Sequence, residues 1–147
     1  SVAAGKISEE YAGLINLKRF EEFLQTDLGK RMGSAYKKGL LFREQPFIME
    51  LGADMIDKEY PSDEKILVQG IVDAFFFEDD KVYIVDYKTD RVEQGKAGEK
   101  ALVERYHKQL ELYADTISRV TGKETGGCYI YSTCLKKEIL IEFPSYT

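Results

Sequence analysis

The sequence predicts an α/β fold in which a central mixed β-sheet is flanked by helices. Two apolar runs, residues 66–77 and 82–85, are separated by a short polar link, which is typical of a β-hairpin. A long amphipathic helix is predicted for residues 100–120, and two further strands follow it. The order of a helical region, three strands, a helix and two strands is typical of a sheet with helices packed against it.

The predicted helices are defined by apolar residues at helical spacing. Residues 8–29 show this spacing, with Ser8 as a candidate N-cap. Residues 28–35 continue as a short helix, which Gly29 and Gly33 weaken. In the helix at residues 100–120, one face carries Leu102, Tyr106, Leu110, Tyr113 and Ile117.

Five strands are predicted. Residues 40–51 form the first, and its Pro46 favours a sheet edge or a bulge, because proline cannot donate to a sheet ladder. The two apolar runs form the central hairpin. The last two strands are residues 128–133 and 138–143, joined around residues 135–137.

The predicted connections are polar or rich in glycine. Residues 52–65 contain Pro61 and are predicted to form a loop or a longer hairpin connection. Residues 89–99 are charged and are predicted to form a mobile loop. The long helix is expected to end, and the chain to turn, at Gly122, Gly126 and Gly127.

Length and composition indicate one globular domain. The chain has 147 residues, of which 44% are hydrophobic and 32% charged. No apolar run approaches the ~20 residues that span a bilayer, and the first residues have no apolar signal-peptide core. Cys128 and Cys134 have no metal-ligand spacing and are expected to be reduced, as in a cytoplasmic protein. The first residue is Ser1, so we expect a fragment or a processed chain.

The net charge of −5 is unusual for a protein that coats nucleic acid. It does not exclude an enzyme that acts on nucleic acid, because metal ions at an acidic site offset the repulsion of phosphates.

Two aspartates and a lysine stand at the ends of the central hairpin strands. Asp86 and Lys88 point the same way because side chains alternate along a strand, and folding the hairpin brings Asp73 close to both. Burying such charges for structure alone is costly. Carboxylate oxygens suit a divalent cation such as Mg²⁺, and a lysine beside them steadies a charged substrate. The alternatives are a turn residue at Asp73 and an exposed ion pair between Asp86 and Lys88.

Three motifs follow one another along the chain: GxxD at residues 70–73, DxK at 86–88 and QxxxY at 109–113. Arg43-Glu44-Gln45-Pro46-Phe47 precedes them. This pattern resembles the RecB-family branch of the PD-(D/E)XK nucleases, and within it the C-terminal nuclease domains of the AddA subunits of bacterial AddAB helicase–nucleases. The similarity covers roughly residues 15–147. Each motif alone is weak, and the three in order are specific.

The resemblance implies a restriction-endonuclease-like core and metal-dependent hydrolysis of DNA phosphodiester bonds. The implied cofactor is Mg²⁺, for which Mn²⁺ would substitute. Asp73 and Asp86 would be metal ligands, with the backbone carbonyl of Tyr87 as a third. Lys88 would orient the attacking water or stabilise charge on the phosphate, and Gln109 would support the site or touch DNA.

Gln109 supports the site or makes an ordinary helix–sheet hydrogen bond, and other residues also have alternative interpretations. Glu44 is a ligand, a residue supporting the ligands, or an edge-strand carboxylate. Tyr113 supports the site or belongs to the core. Asp90 supports the site or caps its loop. His107 is expected on the solvated side of its helix.

One departure from the family pattern concerns histidine. This branch has a histidine on an early helix that completes the metal site, and the only histidine here is His107, within the region of the last motif. We therefore expect residues 1–147 to be a single nuclease domain from the C-terminal part of a larger helicase–nuclease. Its early helix would be truncated, and the missing ligand would lie before Ser1. The fragment by itself is then expected to bind Mg²⁺ or Mn²⁺ weakly and to cut DNA slowly or not at all.

The resemblance also implies partners and a cellular setting. The partners would be DNA, the helicase motor of the same parent chain and an AddB-like subunit, with no membrane involved. The setting would be double-strand break repair in the bacterial cytoplasm. Two other hypotheses are a catalytically weak nuclease-fold module for DNA binding or for assembly of the subunits, and a stand-alone structure-specific endonuclease. The acidic net charge and the incomplete start argue against the second.

Overall fold

A computed structural model of the chain describes residues 21–52, 59 and 63–143. Within these residues, 21–24 are helical, and the further elements in chain order are α1 (Asp27–Lys37), β1 (Leu41–Gly52), β2 (Lys65–Glu78), β3 (Lys81–Lys88), α2 (Lys96–Thr121), β4 (Glu124–Ser132) and β5 (Lys137–Leu140). The predicted helix at residues 8–20 lies outside the described residues.

The five strands form one sheet in the order β1-β2-β3-β4-β5. β1 pairs with β2, β2 with β3, and β4 with β5, all antiparallel, whereas β3 and β4 are parallel. The parallel pair requires a crossover, and α2 provides it. The sheet is therefore mixed and flanked by helices, which confirms the predicted fold class.

The central hairpin is confirmed, and its second strand is longer than predicted. The turn between β2 and β3 consists of Asp79 and Asp80, whose φ angles of 51° and 64° are both positive. Positive φ at both central residues is the requirement of a type I′ turn, whose twist matches that of the paired strands. Because β3 extends to Lys88, the residues of the DxK motif lie on the strand itself.

Among the described strands, β1 pairs only with β2 and so lies at an edge of the sheet, as Pro46 predicted. Glu44 within it has φ 51°, an uncommon value for a residue with a side chain. Arg43 pairs with Ala74 and Gln45 with Val72, so Glu44 lies level with Asp73 in the register.

Each face of the sheet packs against a different helix. On one face, Phe75, Ile84 and Ile130 form a core with the apolar stripe of α2 that includes Leu110 and Ile117. On the other, Ala74, Phe76 and Val85 pack with Leu28 and Met32 of α1. Full burial of one such side chain contributes about 1.5–3 kcal/mol relative to its exposure.

Helix α1 confirms the prediction for residues 28–35. Its N-cap is Thr26, whose side-chain oxygen accepts a hydrogen bond from Gly29 N at 3.0 Å. The backbone N–H of Leu28 donates to Glu138 Oε2 at 3.1 Å, and this contact ties the start of the helix to β5.

The predicted boundaries of α2 and β4 are also wrong. Helix α2 begins at Lys96, four residues before the predicted start, so the loop after β3 is shorter than predicted. Gly98 lies in the first turn of α2, close to the carbonyl of Glu93. A Cβ at this position would clash with that carbonyl oxygen. Gly122 ends the helix with φ 71°, as predicted.

The other boundary error concerns β4, which includes Gly126 and Gly127, where the sequence predicts a turn. These glycines lie under the ring of Tyr83, and a Cβ on Gly126 would lie 2.7 Å from its hydroxyl oxygen. A neighbouring aromatic ring, invisible in the local sequence, is thus the reason for glycine in this strand.

The end of the sheet and the cysteines complete the fold. β5 ends at Leu140, earlier than predicted, although Ile141 N still donates to Cys128 O at 2.8 Å. Cys128 is buried and Cys134 half-buried, and both are free thiols. None of the described helices is long and apolar enough to cross a membrane.

Candidate active site

The two aspartates lie side by side where β2 and β3 separate. The pairing of β2 with β3 ends at Ala74 and Val85. The next residue beyond this pair is Asp73 on β2 and Asp86 on β3. The Asp73 carboxylate accepts a hydrogen bond from Tyr87 N at 2.8 Å and contacts the Asp86 side chain. Here the hydrogen bond from the β3 backbone goes to the Asp73 carboxylate and not to the backbone of β2, and it holds the carboxylate in place.

Asp86 is almost completely buried, with 4% of its surface exposed. Burial is the main cause that raises the pKa of Asp86 to about 6; the Lys88 ammonium opposes the rise, and the charge of Asp73 adds to it. Its Oδ2 atom is buried and accepts no hydrogen bond from the part of the chain that the structure describes. Lys88 Nζ lies 2.8 Å from this oxygen and forms an ion pair with it, outside hydrogen-bonding directions.

Lys88 is held from three sides. Besides the ion pair with Asp86, its ammonium donates to Gln109 Oε1 at 3.4 Å and lies 4.0 Å from the centre of the Tyr106 ring. Burial works to lower the pKa of Lys88, but the Asp86 carboxylate outweighs burial and the net pKa is raised. The side chain therefore remains charged and fixed beside the two carboxylates.

The two residues of the QxxxY motif lie on the face of α2 nearest the site, where Gln109 contacts both Lys88 and Tyr113. Gln109 is exposed, and its Nε2 donates to the hydroxyl of Tyr113 at 3.2 Å. Residues four apart lie one turn apart on a helix, which accounts for the spacing of the motif. Tyr113 is buried and packs in the core, and its hydroxyl also contacts Gln109. Its role in supporting the site stays a prediction.

Asp90, in the loop after β3, reaches the site through residues that sequence reasoning missed. Its Oδ2 accepts hydrogen bonds from Tyr106 Oη at 2.6 Å and from Arg105 Nη1 at 2.5 Å. The Tyr106 hydrogen bond is the main cause that lowers the pKa of Asp90, and Arg105 adds to it. Tyr106 precedes Gln109 by one helical turn and therefore lies on the same face of α2. From this spacing the sequence could have placed Tyr106 at the site.

Gly70, the glycine of GxxD, leaves room for two neighbours. A Cβ at this position would collide with Met49 Cε and would lie 3.4 Å from Tyr113 Cε1. The glycine thus allows β1 and α2 to approach the strand that carries Asp73.

The side chains of Glu44, Tyr87 and His107 stand apart from this cluster, although the Tyr87 backbone contacts Asp73. Glu44 is exposed, and in the described part of the chain no hydrogen bond or ion pair joins it to Asp73 or Asp86. The side chain of Tyr87 is on the opposite face, against Phe23 at a ring distance of 5.4 Å. His107 is half-buried against Phe143, which corrects the prediction of a solvated position.

The oxygen donors present fit a hard divalent cation. Asp86 offers a buried oxygen without a hydrogen bond, and the neighbouring Asp73 carboxylate repels it unless a cation lies between or beside them. Within the described ranges, no group of three or more His, Cys, Asp or Glu residues is close enough to hold an ion. The described side chains thus offer a two-carboxylate site beside a lysine.

Two carboxylates and a lysine thus lie together on adjacent strands of a mixed sheet, with Asp73 inside β2 and Lys88 at the end of β3, an arrangement that suits metal-dependent phosphodiester chemistry. The chain belongs to the PD-(D/E)XK nuclease superfamily, whose family model matches residues 8–143. Nucleases of this superfamily generally use divalent metal ions.

Full-length bacterial proteins contain regions similar to this chain. It is 39% identical over 140 residues to a protein of Clostridium perfringens (strain SM101 / Type A) that is named as a subunit of an ATP-dependent helicase/nuclease, and the match covers 92% of the chain and 11% of the relative. Proteins of the same name match in Clostridium botulinum (strain Alaska E43 / Type E3), 40% identical over 92% of the chain, and in Thermoanaerobacter sp. (strain X514), 41% identical over 85%. They are covered over 11% and 10% of their lengths. The chain spans about a tenth of the length of the curated relatives it matches.

Proposed function

We propose that this chain is a single nuclease domain within a larger helicase–nuclease and that it hydrolyses DNA phosphodiester bonds as an Mg²⁺-dependent exonuclease. The observation that supports this most directly is the contact set of Asp73, Asp86 and Lys88 in a chain of the PD-(D/E)XK nuclease superfamily. Mn²⁺, which also accepts oxygen ligands, is expected to substitute for Mg²⁺.

Each residue of the site has a defined task in this proposal. Asp73 and Asp86 would hold the cation, together with the carbonyl of Tyr87. A bound divalent cation supplies charge neutralisation for a phosphate and lowers the pKa of a bound water. Lys88, fixed by Asp86, Gln109 and Tyr106, donates to a phosphate oxygen or to the attacking water.

The supporting residues act through Lys88 or through the strand ends. Gln109 joins Lys88 to Tyr113, and Asp90 orients the Tyr106 ring on which the ammonium rests. Glu44 is retained as a residue that supports the ligands, because it lies level with Asp73 on the neighbouring strand.

The setting of the domain is proposed from the names of its relatives, which describe part of an ATP-dependent helicase/nuclease. In that setting the partners are DNA, the helicase motor of the same parent chain and an AddB-like subunit. The site of action is the bacterial cytoplasm, and the process is double-strand break repair.

The test is a cleavage assay on the chain with single- and double-stranded DNA labelled at one end or internally. The wild type is expected to cut slowly with Mg²⁺, because the described residues bring only two carboxylates together, and EDTA is expected to stop it. Asp86→Asn and Lys88→Ala are expected to lower the rate strongly, whereas the exposed Asp115→Asn is a matched control that leaves it unchanged. Release of end label as short products identifies an exonuclease, whereas internal fragments identify an endonuclease. Equal rates for Asp86→Asn and the wild type would refute the site.

The second candidate is a catalytically weak module for DNA binding or for assembly of the subunits. It is favoured by the finding that the described residues bring only two carboxylates together. DNA binding without metal-dependent cleavage at any tested Mg²⁺ or Mn²⁺ concentration would support it over the nuclease.

A further inference from the structure

A partly enclosed cavity lies on the α1 face of the sheet, behind the candidate active site. Its volume is about 330 Å³, and six of the residues that line it are Phe23, Met32, Tyr36, Leu41, Arg43 and Tyr87. Tyr87 connects this cavity to the carboxylates. Its ring forms part of the wall, while its backbone N–H donates to Asp73 at 2.8 Å.

The cavity has aromatic walls and an aromatic rim. Phe23 and Tyr87 meet edge to face inside it, at a ring distance of 5.4 Å. Tyr36 stands at the rim with 71% of its surface exposed, which is unusual for a large aromatic side chain. An exposed ring at the mouth of an apolar pocket offers a flat surface on which another ring can stack.

Basic side chains surround the same mouth. Arg43 belongs to the lining. Lys30 and Lys37 lie one helical turn before and after Gly33, which also lines the cavity, so they flank it. Within the described residues these three cations are exposed and form no ion pair. Exposed acids near them are Glu44, next to Arg43 in sequence, and Asp27, three residues before Lys30 on α1.

This concentration of positive charge contrasts with a chain whose net charge is −5. Free cations around an aromatic pocket are the combination with which proteins bind single-stranded nucleic acid, because the cations track phosphates and the rings stack on bases. An apolar peptide would account for the lining and would leave the cations unexplained. A base within a duplex would first have to leave its stack.

We propose that this pocket receives a nucleobase of single-stranded DNA, stacked on Tyr36, while Arg43, Lys30 and Lys37 contact the flanking phosphates. The pocket and the carboxylates lie on opposite faces of the sheet, so the base would belong to a different nucleotide of the strand from the phosphate beside Lys88. The inference rests on the proposed function for the identity of the substrate and adds a binding site on the other face of the sheet.

The test measures equilibrium binding in EDTA, where cleavage cannot interfere. Two fluorescent probes are used, a short oligothymidylate and an abasic oligomer of the same length. Tyr36→Ala is expected to weaken oligothymidylate binding about 5- to 150-fold, the range of one lost base–aromatic stack, and to leave binding of the abasic probe nearly unchanged. Tyr36→Phe keeps the ring and is expected to bind like the wild type.

The charge contribution is tested with a matched pair of lysines. Lys37→Gln is expected to weaken binding of both probes and to reduce the salt dependence by about one unit of slope. Lys81→Gln removes an exposed lysine at the β2–β3 turn and is expected to change neither. Photocrosslinking with 5-iodouracil in the oligomer is expected to label Tyr36.

Equal affinity of Tyr36→Ala and the wild type for oligothymidylate, in protein whose melting curve is unchanged, would overturn this proposal. So would an equal loss of affinity for both probes. The outcome is separable from the nuclease assignment. Cleavage by the wild type without any effect of Tyr36→Ala on binding refutes the pocket alone, whereas pocket-dependent binding without cleavage refutes the nuclease alone.

Discussion

In the proposed site, Asp86 would serve a bound cation at the expense of the stability of the metal-free protein. It is buried, its pKa is raised to about 6, and one of its oxygens accepts no hydrogen bond from the described residues. The Lys88 ammonium lowers the pKa of Asp86, and the neighbouring Asp73 carboxylate raises it. A structural carboxylate is normally satisfied by donors, so this environment indicates a ligand.

Replacing Asp86 by asparagine is therefore expected to separate activity from stability. The change keeps the shape and removes the charge. We expect cleavage to fall more than about 100-fold, because a ligand is lost. In EDTA, the free energy of unfolding is expected to stay the same or to rise by up to about 2 kcal/mol, because a buried charge with an unfavourable environment is removed. Thermal melts and cleavage rates check both. A large drop in melting temperature would show that Asp86 is structural.

Tyr106 is expected to act through its ring on Lys88. A cation–π contact contributes about 0.5–2 kcal/mol, so Tyr106→Leu is expected to lower the cleavage rate about 2- to 30-fold. Tyr106→Phe keeps the ring, loses the hydrogen bond to Asp90, and is expected to lose much less. Steady-state kinetics with short DNA substrates measures the difference in kcat. The same loss in both variants would assign the effect to the hydroxyl group.

At the scale of elements, packing requires glycine at one position in a strand but not at another position in a helix. Gly126 lies in β4 beneath the ring of Tyr83, whereas Gly33 lies in α1 with no atom within 4 Å of an added Cβ. The first is required by packing. The second only gives up helix propensity, because glycine is less favourable than alanine inside a helix.

Substituting alanine at each glycine measures this contrast. Gly126→Ala is expected to lower the free energy of unfolding by about 1–3 kcal/mol, since the Tyr83 ring must move. Gly33→Ala is expected to raise it by about 0.5–1 kcal/mol. Urea denaturation of both variants and the wild type provides the values. An unchanged stability for Gly126→Ala would mean that the β4 backbone or the Tyr83 ring adjusts freely.

At the scale of the whole molecule, binding of the cation should be linked to folding. The two carboxylates come from different strands, so their pairing exists only in the folded chain. A ligand that binds the folded state alone stabilises it, and a concentration of about ten times the Kd contributes about 1.4 kcal/mol. With two carboxylates as the side-chain ligands, we expect weak affinity and a shift that grows up to high Mg²⁺ or Mn²⁺ concentrations.

Melting temperatures measured against Mn²⁺ concentration test this linkage. We expect a rise of about 3–6 °C for the wild type near ten times the Kd. No rise is expected for Asp86→Asn, and the Asp115→Asn control should follow the wild type. A rise of the same size in Asp86→Asn would place the cation elsewhere on the chain.

The sequence by itself determined the central hairpin, the edge position of the first strand and the short helix α1. Periodicity and proline act locally, and local signals suffice for these elements. It also determined that Asp86 and Lys88 share one side of β3, because alternation along a strand is geometric. The order of the three motifs carried the superfamily assignment, which the family model confirms.

Only the tertiary structure decided how the side chains of separate elements meet. The strand at Gly126 depends on Tyr83, 43 positions earlier in the chain, and no local pattern encodes such a contact. The stack of Tyr106 on Lys88, the exposed position of Glu44 and the burial of Asp86 likewise depend on how the helices and strands assemble. Burial and packing are properties of the assembled core, and they set the pKa of Asp86 and the orientation of Lys88.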